Sequence, residues 1–148
     1  KRMEDMRGKF GVIVSGYTHN MHGFINSNPG LKSRFDKYFH FEDYTPDQMF
    51  IIALSMYRKE GVMPDVDAAT HLKAYFTALF NHRDEFFGNA RTVRQVVAES
   101  VKNQNLRLAA TRKEDRTPDL MATIILEDVQ EFDPKNVSGG KAKIGFKP

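Results

Sequence analysis

Hydrophobic positions in the first third of the chain form short continuous runs separated by turn residues. The run from Phe10 to Ser15 is typical of a strand buried on both faces of an α/β sheet. Residues 38–41 alternate enough to predict a second strand, whereas residues 19–26 and 31–35 show weak helical patterns. Residues 1–42 therefore predict a segment with one or two strands and short helices, which holds too few strands to complete a sheet.

From Thr45 onward the hydrophobic period becomes that of amphipathic helices. Four helices are each opened by a capping or turn signal: Thr45-Pro46-Asp47-Gln48, Pro64-Asp65, Gly88-Asn89 and Thr117-Pro118-Asp119. Their predicted apolar faces are Met49, Ile52, Ala53 and Met56; Ala69, Leu72, Phe76, Leu79 and Phe80; Val93, Val97, Val101 and Leu108; and Leu120, Met121 and Ile124. Gly61 ends the first helix, and one further turn follows at residues 126–129. Residues 43–132 thus predict an all-helical domain, and the Gly- and Lys-rich residues 133–148 a flexible basic tail.

Composition narrows the class of protein. The chain has 148 residues, and no apolar run approaches the roughly 20 residues that span a bilayer. It contains no cysteine, which excludes a disulfide scaffold and a thiolate zinc site and favours a cytoplasmic protein. Its five histidines lack metal-binding spacing, so no metal site is predicted. The net charge of +3 is modest and forms no contiguous basic stripe in the helical pattern, which argues against nucleic-acid binding.

Four short segments stand at fixed positions relative to the predicted elements. They are VIVSGYT at residues 12–18, NPGLKSRF at residues 28–35, HFEDYTP at residues 40–46 and GNARTVR at residues 88–94. The first is a buried strand with a polar end, and the second places an arginine just before a strand. The last places arginines in the first turns of a helix.

These four segments, in this order and at about this spacing, resemble the AAA+ superfamily. The resemblance is to the group that contains red-type Rubisco activase (CbbX/CfqX) and the stage V sporulation protein K ATPases, and it extends to about Glu131. It implies a mainly α fold: a four-helix AAA+ lid, residues 43–132, preceded by a remnant of the α/β nucleotide-binding core, residues 1–42.

The resemblance also implies two catalytic residues. Thr18 matches sensor 1, which helps position the attacking water, and Tyr17 and His19 are alternatives because the register is open. Arg34 matches the arginine finger, which would reach the ATP of a neighbouring subunit. Lys37 stands where many relatives have a second arginine, so a two-finger mechanism is in doubt.

Two further arginines are implied to bind ATP. Arg91 matches sensor 2, which contacts the phosphates within its own subunit, and Arg94 lies one turn further on. Arginine suits such sites because its planar fork is always charged, and phosphoryl transfer is catalysed mainly by positioning and cation placement.

Each of these residues also has a plain structural interpretation. Arg34 can be a surface arginine paired with Asp36, Arg91 a solvated residue in a first helical turn, and Arg94 a salt-bridge partner of a nearby acid. Thr18 can be the N-cap of the helix at residues 19–26.

The departures from the family are equally clear. These 148 residues contain no G-x-x-x-x-G-K-[ST] loop and no apolar run that ends in the paired acids of a Walker B motif. We therefore expect a C-terminal fragment that is inactive alone, with the Mg²⁺ site in the missing part of its parent.

The parent is predicted to be a cytoplasmic, ATP-driven remodelling machine. It is expected to assemble with neighbouring AAA+ subunits into a ring of six and to act on a protein client. The alternatives are a non-catalytic helical adaptor or oligomerisation domain with a lid-like fold, or a DNA-handling, loader-type AAA+ lid.

Overall fold

A computed structural model describes residues 11–27, 29–84 and 87–137. The chain divides into two compact units, Lys1–Phe41 and Glu42–Pro148. Helices predominate in the described part, which confirms the mainly α fold class. Within those residues, no helix combines the length and the apolar character that crossing a membrane requires.

The first unit contains short helices and, in its described residues, no strand. Helix α1 spans Thr18–Asn26 and helix α2 spans Pro29–Lys32. The strands predicted at residues 10–15 and 38–41 are wrong for residues 11–15 and 38–41, which adopt no regular structure, and Phe10 lies outside the described residues. Ile13, at the centre of the predicted strand, is 96% exposed. A strand is stabilised by hydrogen bonds to a neighbour, and the described residues of this unit provide none.

The second unit is built on three long helices. They are α3, Pro46–Lys59; α4, Val66–Asn81; and α5, Ala90–Ala110. The starts of α3 and α4 are set by the predicted capping chemistry, whereas the side chain of Asn89 does not cap α5. The amide of Gln48 donates to Thr45 Oγ1 over 3.3 Å while the amide of Thr45 donates to Gln48 Oε1 over 2.9 Å. Gly61, with φ +75°, ends the first helix as predicted, because a left-handed conformation suits glycine.

Shorter elements complete the second unit. Helix α6 spans Pro118–Ala122 and helix α7 spans Leu126–Val129, and 3₁₀ turns lie at Lys113–Asp115 and Pro134–Asn136. The tail was predicted to begin at residue 133. Its residues Pro134–Asn136 form the second of these 3₁₀ turns, and residues 138–148 lie outside the described residues.

A two-residue parallel sheet joins distant parts of this unit. Strand β1, Met63–Pro64, pairs with strand β2, Thr123–Ile124. The amide of Asp65 extends the pairing by donating to the carbonyl of Ile124 over 2.9 Å. The prediction that Ile124 belongs to the fourth helix is therefore wrong, because the helix ends at Ala122 and Ile124 is buried from a strand.

The core of the second unit lies between the three long helices and the C-terminal elements. Its largest fully buried apolar side chains are Tyr57, Phe76, Met49, Leu72, Leu79, Ile124, Val93, Val96 and Val129. On α3 the buried residues are Met49, Phe50, Ala53 and Tyr57, so the buried face is rotated from the predicted one. The predicted Ile52 and Met56 are only partly buried at its edge.

Candidate functional site

Arg91 is the second residue of helix α5, a helix of 21 residues. Its side chain is exposed, and its amide donates to the carbonyl of Gly88 over 2.8 Å. No acidic residue lies in the first turn of α5. Across residues 11–27, 29–84 and 87–137, no carboxylate forms an ion pair with Arg91. The guanidinium group therefore stands at a helix N-terminus without a compensating anion in the described structure.

Arg94 follows Arg91 by three residues on the same helix and is also exposed. Residues three apart are neighbours on a helix surface, so both guanidinium groups belong to one side of the first turns of α5. The salt bridge considered for Arg94 is not found among the residues that the structure describes.

The turn before α5 is closely packed. A Cβ atom at Gly88 would lie 2.2 Å from Thr92 Oγ1, well inside van der Waals contact. Thr92 is itself 4% exposed and belongs to the first turn of the helix. Glycine at this position therefore lets the chain pass close to the turn that carries Arg91.

Asn89, between that glycine and the helix, is bonded away from its own helix. Its Nδ2 donates to Asp43 Oδ1 over 2.8 Å, and its Oδ1 accepts from the amide of Tyr44 over 3.2 Å. Asp43 Oδ2 also faces Arg83 Nε at 3.5 Å. We call Asp43, Tyr44, Arg83 and Asn89 the Asn89 cluster.

Arg83 anchors the outer side of this cluster. Its Nη1 donates to the carbonyl of Phe80 over 2.7 Å, and its guanidinium carbon lies 3.8 Å from the centre of the Phe80 ring. The roles of Asp43, Arg83 and the Asn89 side chain were not predicted from the sequence. The one feature that could have indicated Asn89 is an asparagine directly before a helix, because asparagine tolerates a positive φ better than most residues do.

Arg34, in the first unit, follows helix α2. Its Nη1 donates to the carbonyl of Gly30 over 2.8 Å, and the residue is exposed. It lies on the wall of an open groove of about 890 Å³, together with residues 11–16 and 35–39. One N–H group of the proposed finger is thus engaged with the backbone of the preceding helix α2.

Thr18 is the first residue of helix α1, and the N-cap position is occupied by Tyr17. The alternative in which Thr18 caps this helix is therefore wrong. Thr18 Oγ1 lies 3.5 Å from His40 Nδ1, at the edge of hydrogen-bonding distance. The structure thus brings Thr18 to His40, a residue for which no role was predicted, and the side chain of His19 lies outside the described residues.

Residues 11–27, 29–84 and 87–137 contain no group of three or more His, Cys, Asp or Glu side chains placed to hold a metal ion.

Comparison with known proteins identifies the second unit. Residues 45–139 match the family model of the AAA lid domain. The chain belongs to the AAA lid domain family. The predicted AAA+ resemblance is thereby confirmed, and the three long helices with their short C-terminal elements are the lid.

Three relatives show the extent of the similarity. The chain is 33% identical over 140 residues to the ESX-3 secretion system protein EccA3 of Mycolicibacterium smegmatis, with 87% of this chain and 23% of that protein covered. It is 35% identical over 109 residues to stage V sporulation protein K of Bacillus subtilis, covering 73% and 34%. It is 30% identical over 128 residues to protein CbbX of Cereibacter sphaeroides, covering 86% and 41%.

The chain spans less than half the length of each of these relatives. The matches favour the first prediction, a part of an AAA+ ATPase of the CbbX and stage V sporulation protein K group. They do not favour the two alternatives, a non-catalytic helical adaptor and a DNA-handling, loader-type AAA+ lid.

Proposed function

We propose that this chain is the C-terminal part of an AAA+ ATPase, in which the lid binds ATP through Arg91. The observation that carries the proposal is the exposed Arg91 at the start of a 21-residue helix in an AAA lid. Arg34 acts as the arginine finger towards a neighbouring subunit, and Thr18 contributes to positioning water.

The surroundings of Arg91 fit a polyphosphate. A cation in the first turn of a helix opposes the helix dipole, and no acid in that turn compensates it. An anion bound there gains the guanidinium charge of Arg91 and the positive end of the helix dipole. Arg91 would therefore hold phosphate oxygens of ATP, with Arg94 beside it on the same side of the helix.

ATP would supply the phosphoryl group whose transfer to water drives the machine. The phosphate-binding loop, the Mg²⁺ ligand and the acid that activates water would come from polypeptide outside these 148 residues, because no such motif occurs within them. We accordingly expect the 148-residue chain alone not to hydrolyse ATP.

The partners in this proposal are further copies of the same AAA+ subunit and a protein client. An arginine finger requires a neighbouring subunit, and closed rings satisfy that requirement for every copy. We propose a ring, with six subunits as the first expectation, that remodels a protein in the cytoplasm. One relative is named a ribulose bisphosphate carboxylase/oxygenase activase, which makes a folded enzyme one candidate class of client.

The first experiment measures nucleotide affinity of the full-length polypeptide that contains this chain. We expect Arg91→Ala to weaken binding of a fluorescent ADP analogue by roughly 10- to 100-fold, the effect of losing a charged hydrogen bond. Arg112→Ala is the matched control, because Arg112 is an exposed arginine whose ion pairs among the described residues are with the surface acids Glu114 and Asp115. Equal affinities for the Arg91→Ala variant and the parent would refute the proposal.

The second experiment tests the finger. Arg34→Ala should lower ATP hydrolysis by about 1,000-fold or more while leaving nucleotide affinity nearly unchanged. Mixing this variant with subunits that lack the Walker B acid should restore part of the activity, because some shared sites then contain both groups. Failure of every mixture to regain activity would exclude action between subunits.

A further inference from the structure

Asn89 has a backbone conformation that an L-residue rarely adopts. Its φ is +49° and its ψ is −126°, in a region that glycine occupies readily and other residues only at a cost of about 1–3 kcal/mol. The residue nevertheless carries a side chain, although glycine would relieve the strain. The side chain must therefore contribute something that the backbone alone does not.

That contribution is not the capping of helix α5. Asparagine is among the best N-cap residues, yet Asn89 makes no side-chain bond to its own helix. Both of its side-chain groups are instead directed to Asp43 and Tyr44, 46 and 45 residues earlier in the sequence. In place of the capping hydrogen bond that asparagine favours, Asn89 thus makes two hydrogen bonds to residues distant in sequence.

The segment that Asn89 holds is where the lid begins. The boundary between the two units lies between Phe41 and Glu42, and Thr45 is the N-cap of helix α3. Asp43 also faces Arg83, which follows helix α4 and is bonded to Phe80. The Asn89 cluster thus joins the start of α3, the end of α4 and the start of α5.

The same turn fixes the backbone that carries Arg91. The carbonyl of Gly88 accepts from the amide of Arg91 over 2.8 Å, and the carbonyl of Asn89 accepts from the amide of Val93 over 3.2 Å. Moving Asn89 therefore moves the first turn of α5, and with it the guanidinium group of Arg91.

We propose that Asn89 is a positioning residue for nucleotide binding, which holds the Arg91 turn against the first residues of the lid. This inference rests on the proposed contact between Arg91 and ATP. The two side-chain bonds keep the turn in its strained conformation before nucleotide arrives, so the binding free energy is not spent on ordering it.

The test uses the full-length polypeptide and a fluorescent ADP analogue. Asn89→Gly removes both side-chain bonds while allowing the positive φ, so it separates the bonds from the backbone strain. We expect it to weaken nucleotide binding by roughly 3- to 10-fold, the value of one or two lost hydrogen bonds. Combined with Arg91→Ala, it should cause no further loss, because Asn89 acts through Arg91.

Exchanging the residues at positions 43 and 89 tests whether restoring their hydrogen bond restores nucleotide affinity. Asn89→Asp places two carboxylates against each other and should weaken binding at least as much as Asn89→Gly. Adding Asp43→Asn again sets one amide donor opposite one carboxylate acceptor and should recover most of the affinity. Asp43→Asn alone replaces a charged acceptor with an amide oxygen and removes the charge opposite Arg83, so it should weaken binding, but less than Asn89→Asp does. A double variant that binds no better than Asn89→Asp would overturn the inference.

The outcomes separate the two proposals. If Arg91→Ala leaves the affinity unchanged, the proposed function fails. If Arg91→Ala weakens binding but Asn89→Gly lowers only the thermal midpoint, Asn89 is merely structural and this inference is overturned. Additive losses from Asn89→Gly and Arg91→Ala would overturn it as well, since the two residues would then act independently.

Discussion

Tyr57 places a hydroxyl group inside the lid core. The residue is fully buried, its hydroxyl donates to Ser100 Oγ over 2.8 Å, and Ser100 in turn donates to the carbonyl of Val96 over 2.7 Å. The ring packs as a hydrophobic side chain while the hydroxyl is satisfied by the facing helix. This combination lets a polar atom lie in the core at little cost.

Removing that hydroxyl should destabilise the lid modestly. For Tyr57→Phe we expect a loss of about 0.5–1.5 kcal/mol in the free energy of unfolding, because one buried hydrogen bond is lost while Ser100 keeps its own acceptor. Urea unfolding followed by circular dichroism gives this value. Tyr44→Phe, at an exposed ring, is the control and should leave the midpoint unchanged. An equal effect of the two substitutions would contradict the assigned role.

The same residue predicts a dependence on pH. Burial raises the pKa of Tyr57 from 10.0 to about 12. Between pH 10 and 12 the unfolded chain has lost this proton while the folded chain retains it, so stability falls as pH rises. The loss attributable to Tyr57 reaches about 2–3 kcal/mol near pH 12.

Comparing the parent with Tyr57→Phe isolates this effect. Unfolding free energies measured at pH 8, 10, 11 and 12 should fall more steeply for the parent. The stability advantage of Tyr57 over Phe should shrink above pH 10 and reverse near pH 12, because the loss exceeds the value of the hydrogen bond. Tyr75, whose pKa burial also raises to about 12, is common to both proteins and cancels in the difference. Parallel curves would show that Tyr57 does not hold its proton in this range.

The buried faces show what a hydrophobic period misses. On α3 the pattern predicted Met56 in the buried face, whereas the structure buries Tyr57. On α5 it predicted Val97 correctly but missed Ser100 and Gln104, which are also buried. Such a period counts polar side chains as solvent-facing. It cannot detect a hydroxyl or an amide whose partner lies on another element.

A buried ion pair attaches the short C-terminal helices to α5. Arg107 donates from Nε to Asp128 Oδ1 and from Nη2 to Asp128 Oδ2, both over 2.9 Å, and Asp128 is 1% exposed. The hydrogen bonds that Arg107 donates to Asp128 raise the pKa of Arg107. Asp128 Oδ2 also accepts from the amide of Ile125 over 2.9 Å. Helix α7 has only four residues, so it depends on such contacts to form.

Breaking this pair should destabilise the lid strongly. For Arg107→Met we expect a loss of about 3 kcal/mol, because a buried carboxylate remains without its cation. Adding Asp128→Leu removes that charge and should recover part of the stability, so the double variant should exceed Arg107→Met in unfolding midpoint. Lys102→Ala, at an exposed pair with Glu99, is the control and should show no measurable change. Simple additivity of the two core substitutions would argue against a coupled pair.

Some elements were predictable and others were not. The starts of α3, α4 and α6 follow from local capping chemistry, and the structure shows side-chain oxygens of Thr45, Asp65 and Thr117 accepting the expected amides. The strands β1 and β2 have two residues each, and the paired residues Met63 and Thr123 are 60 positions apart in the sequence. No alternation can appear in so short a strand, and its partner is chosen by the packed fold.

The candidate site also contains residues whose positions could be predicted from sequence and residues whose positions could not. Arg91 and Arg94 could be placed from sequence, because their position in the first two turns of a helix is a local property. The Asn89 cluster could not, because its bonds reach from residues 83 and 89 back to residues 43 and 44. The roles of Thr18, Arg34, Arg91 and Arg94 remain predictions for the experiments above.

The lid should fold without the first unit. The described core residues lie between Met49 and Phe132, with Val137 packed at its edge, so they form a hydrophobic cluster within the second unit. A polypeptide of residues 42–137 should therefore unfold in one cooperative transition at nearly the midpoint of the 148-residue chain. Near-ultraviolet circular dichroism in urea measures the cooperativity and the midpoint of unfolding for each polypeptide. A broad, non-cooperative transition would show that the first unit is needed for the lid to pack.

A slightly shorter polypeptide provides the matched comparison. Residues 45–137 keep the capping box at Thr45 but lose Asp43 and Tyr44, the two partners of the Asn89 side chain. We expect this polypeptide to be less stable than residues 42–137 by about 1–2 kcal/mol, with an unchanged helical content. Asn89→Gly should lower the stability of the longer polypeptide yet raise that of the shorter one, where only the strain at Asn89 remains. A uniform effect of Asn89→Gly in both would show that the bonds to Asp43 and Tyr44 do not offset the strain in the backbone of Asn89.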